Sequence, residues 1–125
     1  MGRGLEFIIS QFHADSAEQQ EFNKDFAKAL ARKSYYDGCM PIVPHLYFPR
    51  FLADEGPERQ WGIRSGHRIM ALCSSVVVAK IDGHVSDGMQ QDIDFAESLE
   101  IPITRMKYSA EGAEELVKKF RESRA

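Results

Sequence analysis

What most limits the fold of this chain is its alternation of short apolar runs with longer segments of helical period. Ser75-Val76-Val77-Val78-Ala79 is β-branched and uninterrupted, the pattern of a strand buried on both faces. Leu5 to Ser10 reads as another buried strand, Met40 to Val43 as a short one and Ile101 to Met106 as a fourth. Pro41 cannot donate to a ladder, which argues that Met40 to Val43 lies at a sheet edge. Between these runs, Ser16 precedes Gln19 in a capping-box pattern. Phe22, Phe26, Ala29 and Leu30 then keep helical spacing to about Tyr36, and Gly38 suits the stop. Pro57 suits the first turn of a helix reaching about Leu72. Ser86 or Asp87 caps a helix to about Leu99, and Ser109 caps a last one with the stripe Ala113, Leu116, Val117, Phe120. Residues 44–52 are rich in aromatics and carry no regular period. The order β-α-β-α-β-α-β-α predicts an α/β fold: a three-layer, doubly wound, flavodoxin-like or Rossmann-like parallel sheet of four to five strands. With 125 residues, the expected organisation is a single domain over 1–125.

Composition narrows the function. The net charge is -3, whereas a protein that tracks phosphate backbones usually carries a basic excess, so no long nucleic acid is expected as partner. No apolar run approaches the roughly 20 residues of a bilayer span, so no membrane partner is expected. The N-terminus has no signal-peptide pattern, and Glu6 weakens a myristoylation reading of Met1-Gly2. Cys39 and Cys73 are too few for a disulfide scaffold and form no C-x-x-C pair, which makes a reduced, cytoplasmic setting the expectation. There is no Walker lysine and no G-x-G-x-x-G, and the four histidines (His13, His45, His67, His84) match no metal-ligand spacing. Neither a cofactor nor a metal is expected.

A doubly wound sheet binds ligands beyond the carboxyl ends of its strands, where the strand order reverses. In a flavodoxin-like order this point lies between the first and third strands, where two loops meet, Ser10 to Asp15 and Lys80 to Gly88. On the following helix Gly88, Asp92 and Ala96 fall in line beside Met89, Ile93 and Leu99. Asp92 is the one acid on that apolar stripe, while Asp94 and Glu97 point elsewhere. A carboxylate there is either a boundary residue satisfied by a neighbour or a functional group. Gly83, Ser86 and Gly88 have the makings of an anion cradle, against which Asp87 works. Ser10, Phe12, His13 and Asp15 are the ligand candidates of the first loop, with Phe12 able to stack on a base and His13 to hydrogen-bond. His45 reads equally as a loop lock or a ligand contact. Arg64 and Arg68 share a helix face and read as a solvated basic face or a phosphate contact, and Cys73 reads as buried packing. Trp61, Phe48 and Phe51 read as core or subunit contact.

Several segments carry a family likeness: Pro41-Ile42-Val43-Pro44-His45-Leu46-Tyr47-Phe48, Phe51-Leu52, Gly62-Ile63-Arg64-Ser65-Gly66, Ser86-Asp87-Gly88-Met89-Gln90-Gln91-Asp92-Ile93, and Ala96 to Pro102. Through them the chain resembles the nucleoside 2-deoxyribosyltransferase-like superfamily, in particular its short bacterial and phage members, with a relation to nucleoside 5′-monophosphate N-glycosidases. The resemblance implies a flavodoxin-like fold and attack on the N-glycosidic bond of a small-molecule nucleoside or nucleoside 5′-monophosphate. The family's nucleophile stands four residues after the glycine, here Asp92, and its serine, here Ser86, holds the 5′ end. His45, Tyr47, Gly88 and Met89, which lie in these segments, join Ser10, Phe12, His13 and Asp15 as expected substrate contacts. The chain departs from the family in three places. Asp92 replaces the usual Glu, Phe12 stands where relatives often have Tyr, and Ser65 to Ile69 lacks the second acid, leaving His67 as the acid/base candidate. By analogy a homodimer is also expected. Base release is the leading expectation. The alternative is a catalytically weak or inactive nucleotide-binding or sensing module, and a third reading is an interaction protein that uses residues 44–52.

Overall fold

Four parallel strands, β1 (Leu5–Ile9), β2 (Met40–Ile42), β3 (Ser75–Ile81) and β4 (Ile103–Tyr108), form one sheet in the order β2-β1-β3-β4. They are seen in a computed structural model that describes residues 3–125, so the Met1-Gly2 opening lies outside the described residues. Helices α1 (Ala17–Tyr36), α2 (Gly56–Met70), α3 (Asp87–Ser98) and α4 (Ala110–Ser123) make the crossovers. The expected three-layer, doubly wound α/β fold therefore forms, with four strands and with β2 at an edge, where Pro41 has no second neighbour to bond.

Strand alternation divides the interior in two. Phe7, Ile9, Val76 and Val78 face Met70, Met89, Ile93 and Ala96 of α2 and α3. Ile8 and Ala79 face Phe26 and Leu30 of α1 and Ala113 and Val117 of α4. Each large apolar side chain that is fully buried in this way contributes about 1.5–3 kcal/mol. Among the described residues no helix is long and apolar enough to cross a membrane.

Some boundaries differ from the sequence reading. β4 lies two residues later than Ile101 to Met106, because its ladder is set by the long strand β3, from Val76 opposite Ile103 to Ile81 opposite Tyr108. Pro102 stays outside and only accepts, its carbonyl taking the Val76 amide at 2.9 Å. β2 stops at Ile42 and α2 at Met70. The capping box at α1 is half formed: the Gln19 amide donates to Ser16 Oγ at 3.1 Å, but the Gln19 side chain turns to Asn23 instead. Residues 44–50 form two single 3-10 turns, Pro44–Leu46 and Phe48–Arg50, a strap that crosses the carboxyl end of the edge strand. Gly38 follows α1 with φ of 101°, a left-handed conformation that favours glycine.

Candidate functional site

The strand order reverses between β1 and β3, and a cavity of about 620 Å³ opens beyond their carboxyl ends. That volume suits a small organic ligand. β3 leads through the turn at Asp82 and Gly83 into α3, whose cap Ser86 accepts the Met89 amide at 3.2 Å. The cap sets the rotation of α3, so Met89, Ile93 and Ala96 face the sheet and Asp92 comes to the cavity wall, 7% exposed. His67, reaching across from α2, lies with Nε2 2.8 Å from Asp92 Oδ1. A carboxylate only accepts, so the imidazole N–H donates. Phe95 stacks on the His67 ring at 4.4 Å and 5°, which fixes its plane. Oδ2 of Asp92 makes no hydrogen bond among the described residues, and Asp92 lines the cavity.

The first loop is held by a buried asparagine. Asn23 of α1 donates from Nδ2 to the Phe12 carbonyl at 2.9 Å, while its Oδ1 accepts from Gln11 at 2.8 Å and Gln19 at 2.9 Å. This network places Phe12 against His45 of the strap, ring centroids 4.9 Å apart. Two polar atoms at this wall, Ser10 Oγ and His45 Nδ1, are sealed without a partner among the described residues. Burial pushes the His45 pKa below the ordinary 6.5, against the opposing pull of Asp92 and Asp54, so the ring is neutral at pH 7.

At the cavity mouth His13 Nδ1 meets Asp54 Oδ2 at 3.1 Å, and Arg59 Nε lies 3.5 Å from Asp54 Oδ1. The Arg59 guanidinium rests on the first turn of α3. A Cβ on Gly88 would come within 3.3 Å of it, so glycine permits this close approach. The guanidinium and the helix N-terminal amides bring donors to this end of the cavity, while Asp54, the partner of Arg59, and Asp87 of the first turn oppose them with negative charge.

Of the residues expected from sequence, Ser10, Phe12, His13, His45, Ser86, Gly88, Met89 and Asp92 all line this one cavity. His67 reaches it through Asp92 and is not part of the wall. Asp15 is exposed ahead of the α1 cap and does not line it. Tyr47 is also outside, turned outward against Phe48 at 5.3 Å and Phe51 at 5.1 Å. Arg64 and Arg68 are exposed away from the cavity, as a solvated face would be. Trp61 and Phe51 are surface residues, not core, whereas Phe48 lines the cavity. Cys73 packs in the α2–α3 core and burial pushes its thiol pKa up, which leaves it a poor nucleophile. Among the described residues no group of three or more His, Cys, Asp or Glu is placed to hold a metal ion.

Sequence reading missed Asn23, Asp54 and Arg59. Asn23 leaves a signal, an amide set among the apolar positions of α1, but Asp54 and Arg59 carry no pattern that separates them from solvated charges. One family matches the chain, over residues 5–106, and it is described as a domain of unknown function (DUF7768). No curated protein matches it.

Proposed function

The chain belongs to the family of that domain of unknown function, and from its own residues we propose that it binds a nucleoside or nucleoside 5′-monophosphate and breaks the N-glycosidic bond with Asp92 as nucleophile. The observation that carries this reading is Asp92 itself: a nearly buried carboxylate lining the switch-point cavity, with one oxygen held by His67 and the other without a hydrogen bond among the described residues. Oδ2 attacks the anomeric carbon, the bond to the base nitrogen breaks, and its electron pair leaves with the base, which takes a proton from water. Water then attacks the glycosyl ester and frees the sugar, or a second base attacks it and takes the sugar as a new nucleoside; either way the ester bond breaks and the carboxylate is restored.

His67 acts as a positioning residue: its hydrogen bond to Oδ1 selects the rotamer that aims Oδ2. Phe12 and Phe48 offer flat apolar walls for a base. Ser86, the first amides of α3 and Arg59 supply donors for the 5′ end of the sugar, a phosphate there having to compete with Asp54 for Arg59 and to lie near Asp87. In the same reading the exposed Phe51 and Trp61 belong to a homodimer contact, which sedimentation would check.

The test incubates the protein with a panel of nucleosides and 5′-monophosphates and follows free base by chromatography. Release that disappears in Asp92→Asn supports the proposal. The second reading, a nucleotide-binding module, draws on the His67 bond, which on its own also serves to tie α2 to α3. Ligand-dependent thermal stabilisation without base release would favour it, and neither effect from any ligand would sink both.

A further inference from the structure

The protein has 19 acidic and 16 basic residues, yet one groove gathers five cations around a single acid. It lies between α1, the end of α4 and the strap, encloses about 770 Å³, and is lined by Lys28, Arg32, Arg50, Arg121 and Arg124 with Asp25. Asp25 is already committed, since Arg121 Nε donates to it at 2.8 Å and Lys28 Nζ lies 3.9 Å away. Among the described residues the Arg50 guanidinium donates only to the Leu46 carbonyl, at 3.0 Å. Arg32, Arg50 and Arg124 have no carboxylate partner among the described residues. Uncompensated like charges repel one another, and an anion in the groove relieves that repulsion.

The chemistry of the lining narrows the anion. Four of the five cations are arginines, whose planar fork matches phosphate oxygens two at a time. Beside them Tyr35 and Tyr36 are 45% and 72% exposed and pack edge to face, with the Arg3 guanidinium 3.9 Å from the Tyr35 ring centroid and that of Arg32 5.1 Å from the Tyr36 centroid. An acidic peptide has no use for exposed aromatic surface, whereas a base packs on it, above all on Tyr36, the more open of the two rings. We propose that this groove binds a short single-stranded nucleic acid, its phosphates on the arginines and its bases on Tyr35 and Tyr36. The acidic excess over the rest of the surface then repels strand outside the groove, which is how local binding coexists with a net charge of -3. The groove shares no lining residue with the Asp92 cavity, so the proposal stands apart from the one for that site.

The experiment titrates the full chain into a fluorescein-labelled mixed-sequence single strand of about ten nucleotides and reads anisotropy. Saturable binding is expected, and three phosphate contacts at roughly 0.7 each give a log–log salt slope of about -2. Arg32→Glu and Arg50→Glu, both at exposed positions, should each weaken binding about tenfold or more, and Tyr36→Ala about fivefold. Arg68→Glu, an exposed cation outside the groove, should change nothing, and circular dichroism checks that each variant is folded. Absence of saturable binding would overturn the proposal. So would competition by a polyglutamate peptide or tripolyphosphate at equal charge with Tyr36→Ala silent, because the surface would then recognise charge alone.

Discussion

At the scale of single residues, Asp92 was legible because an acid breaks an otherwise apolar stripe, Met89, Ile93 and Ala96, and breaking a stripe leaves a mark in the sequence. Its bond to His67 was not, because that depends on how α2 crosses α3, and no local spacing encodes a crossing. Arg59 was hidden for a similar reason: Arg64 and Arg68 make the more regular pattern, but the rotation of α2 turns them to solvent. Asp92→Asn keeps the shape and removes the charge that meets a cationic transition state, so base release should fall by at least a hundredfold while nucleotide-induced thermal shifts persist. An unchanged rate would end the nucleophile assignment. His45 makes a separate claim about pH. The folded protein holds the ring neutral, whereas the unfolded chain takes up a proton near the ordinary 6.5. The unfolded state thus binds more protons below that value, so stability is fully present above it and declines as pH falls through it. Melting temperatures from pH 8 down to 5 should show this decline, and His45→Gln should flatten it. Equal slopes in the two proteins would mean that other groups carry the acid sensitivity.

At the scale of elements, the helix starts were the most legible feature. Ser16, Ser86 and Ser109 each accept a backbone amide three residues on, as their sequence settings imply. The strap was not legible, since 3-10 turns have neither a period of two nor one of 3.6 residues and Pro44 and Pro49 merely punctuate them. The shift of β4 belongs to the same class, a tertiary register imposed by β3 on a run whose local pattern allows either frame. Two equivalent caps permit a controlled comparison. Ser86→Ala and Ser109→Ala should each cost about 1 kcal/mol of stability. Only Ser86→Ala frays the turn that carries Gly88 and positions Asp92, so only it should also weaken nucleotide binding. If both variants affected binding equally, the α3 cap would have no special part in the site. Equilibrium urea unfolding read beside ligand titration separates the two effects.

At the scale of the molecule, alternation alone gave the layers and the switch point, because a parallel crossover must return its helix over the sheet. The family match ends at residue 106, inside β4, yet the fold does not end there. Ala113 and Val117 of α4 are buried in the cluster that covers one whole face of the sheet. α4 is also tied to α1 by Arg121 and Asp25 at 2.8 Å. Without α4, Ile8, Phe26, Leu30 and Ala79 lose part of their cover. Burial of one large apolar side chain is worth about 1.5–3 kcal/mol, so their combined exposure rivals the ~5–15 kcal/mol that holds a typical domain together. A chain ending at Ser109 should therefore show no cooperative thermal transition by circular dichroism. Val117→Asp, which keeps the full length but places a charge in the same cluster, should lower the melting temperature severely. If the shortened chain melted cooperatively within a few degrees of the full one, α4 would be an accessory laid on a fold complete without it, and the matched family boundary would mark the true structural unit.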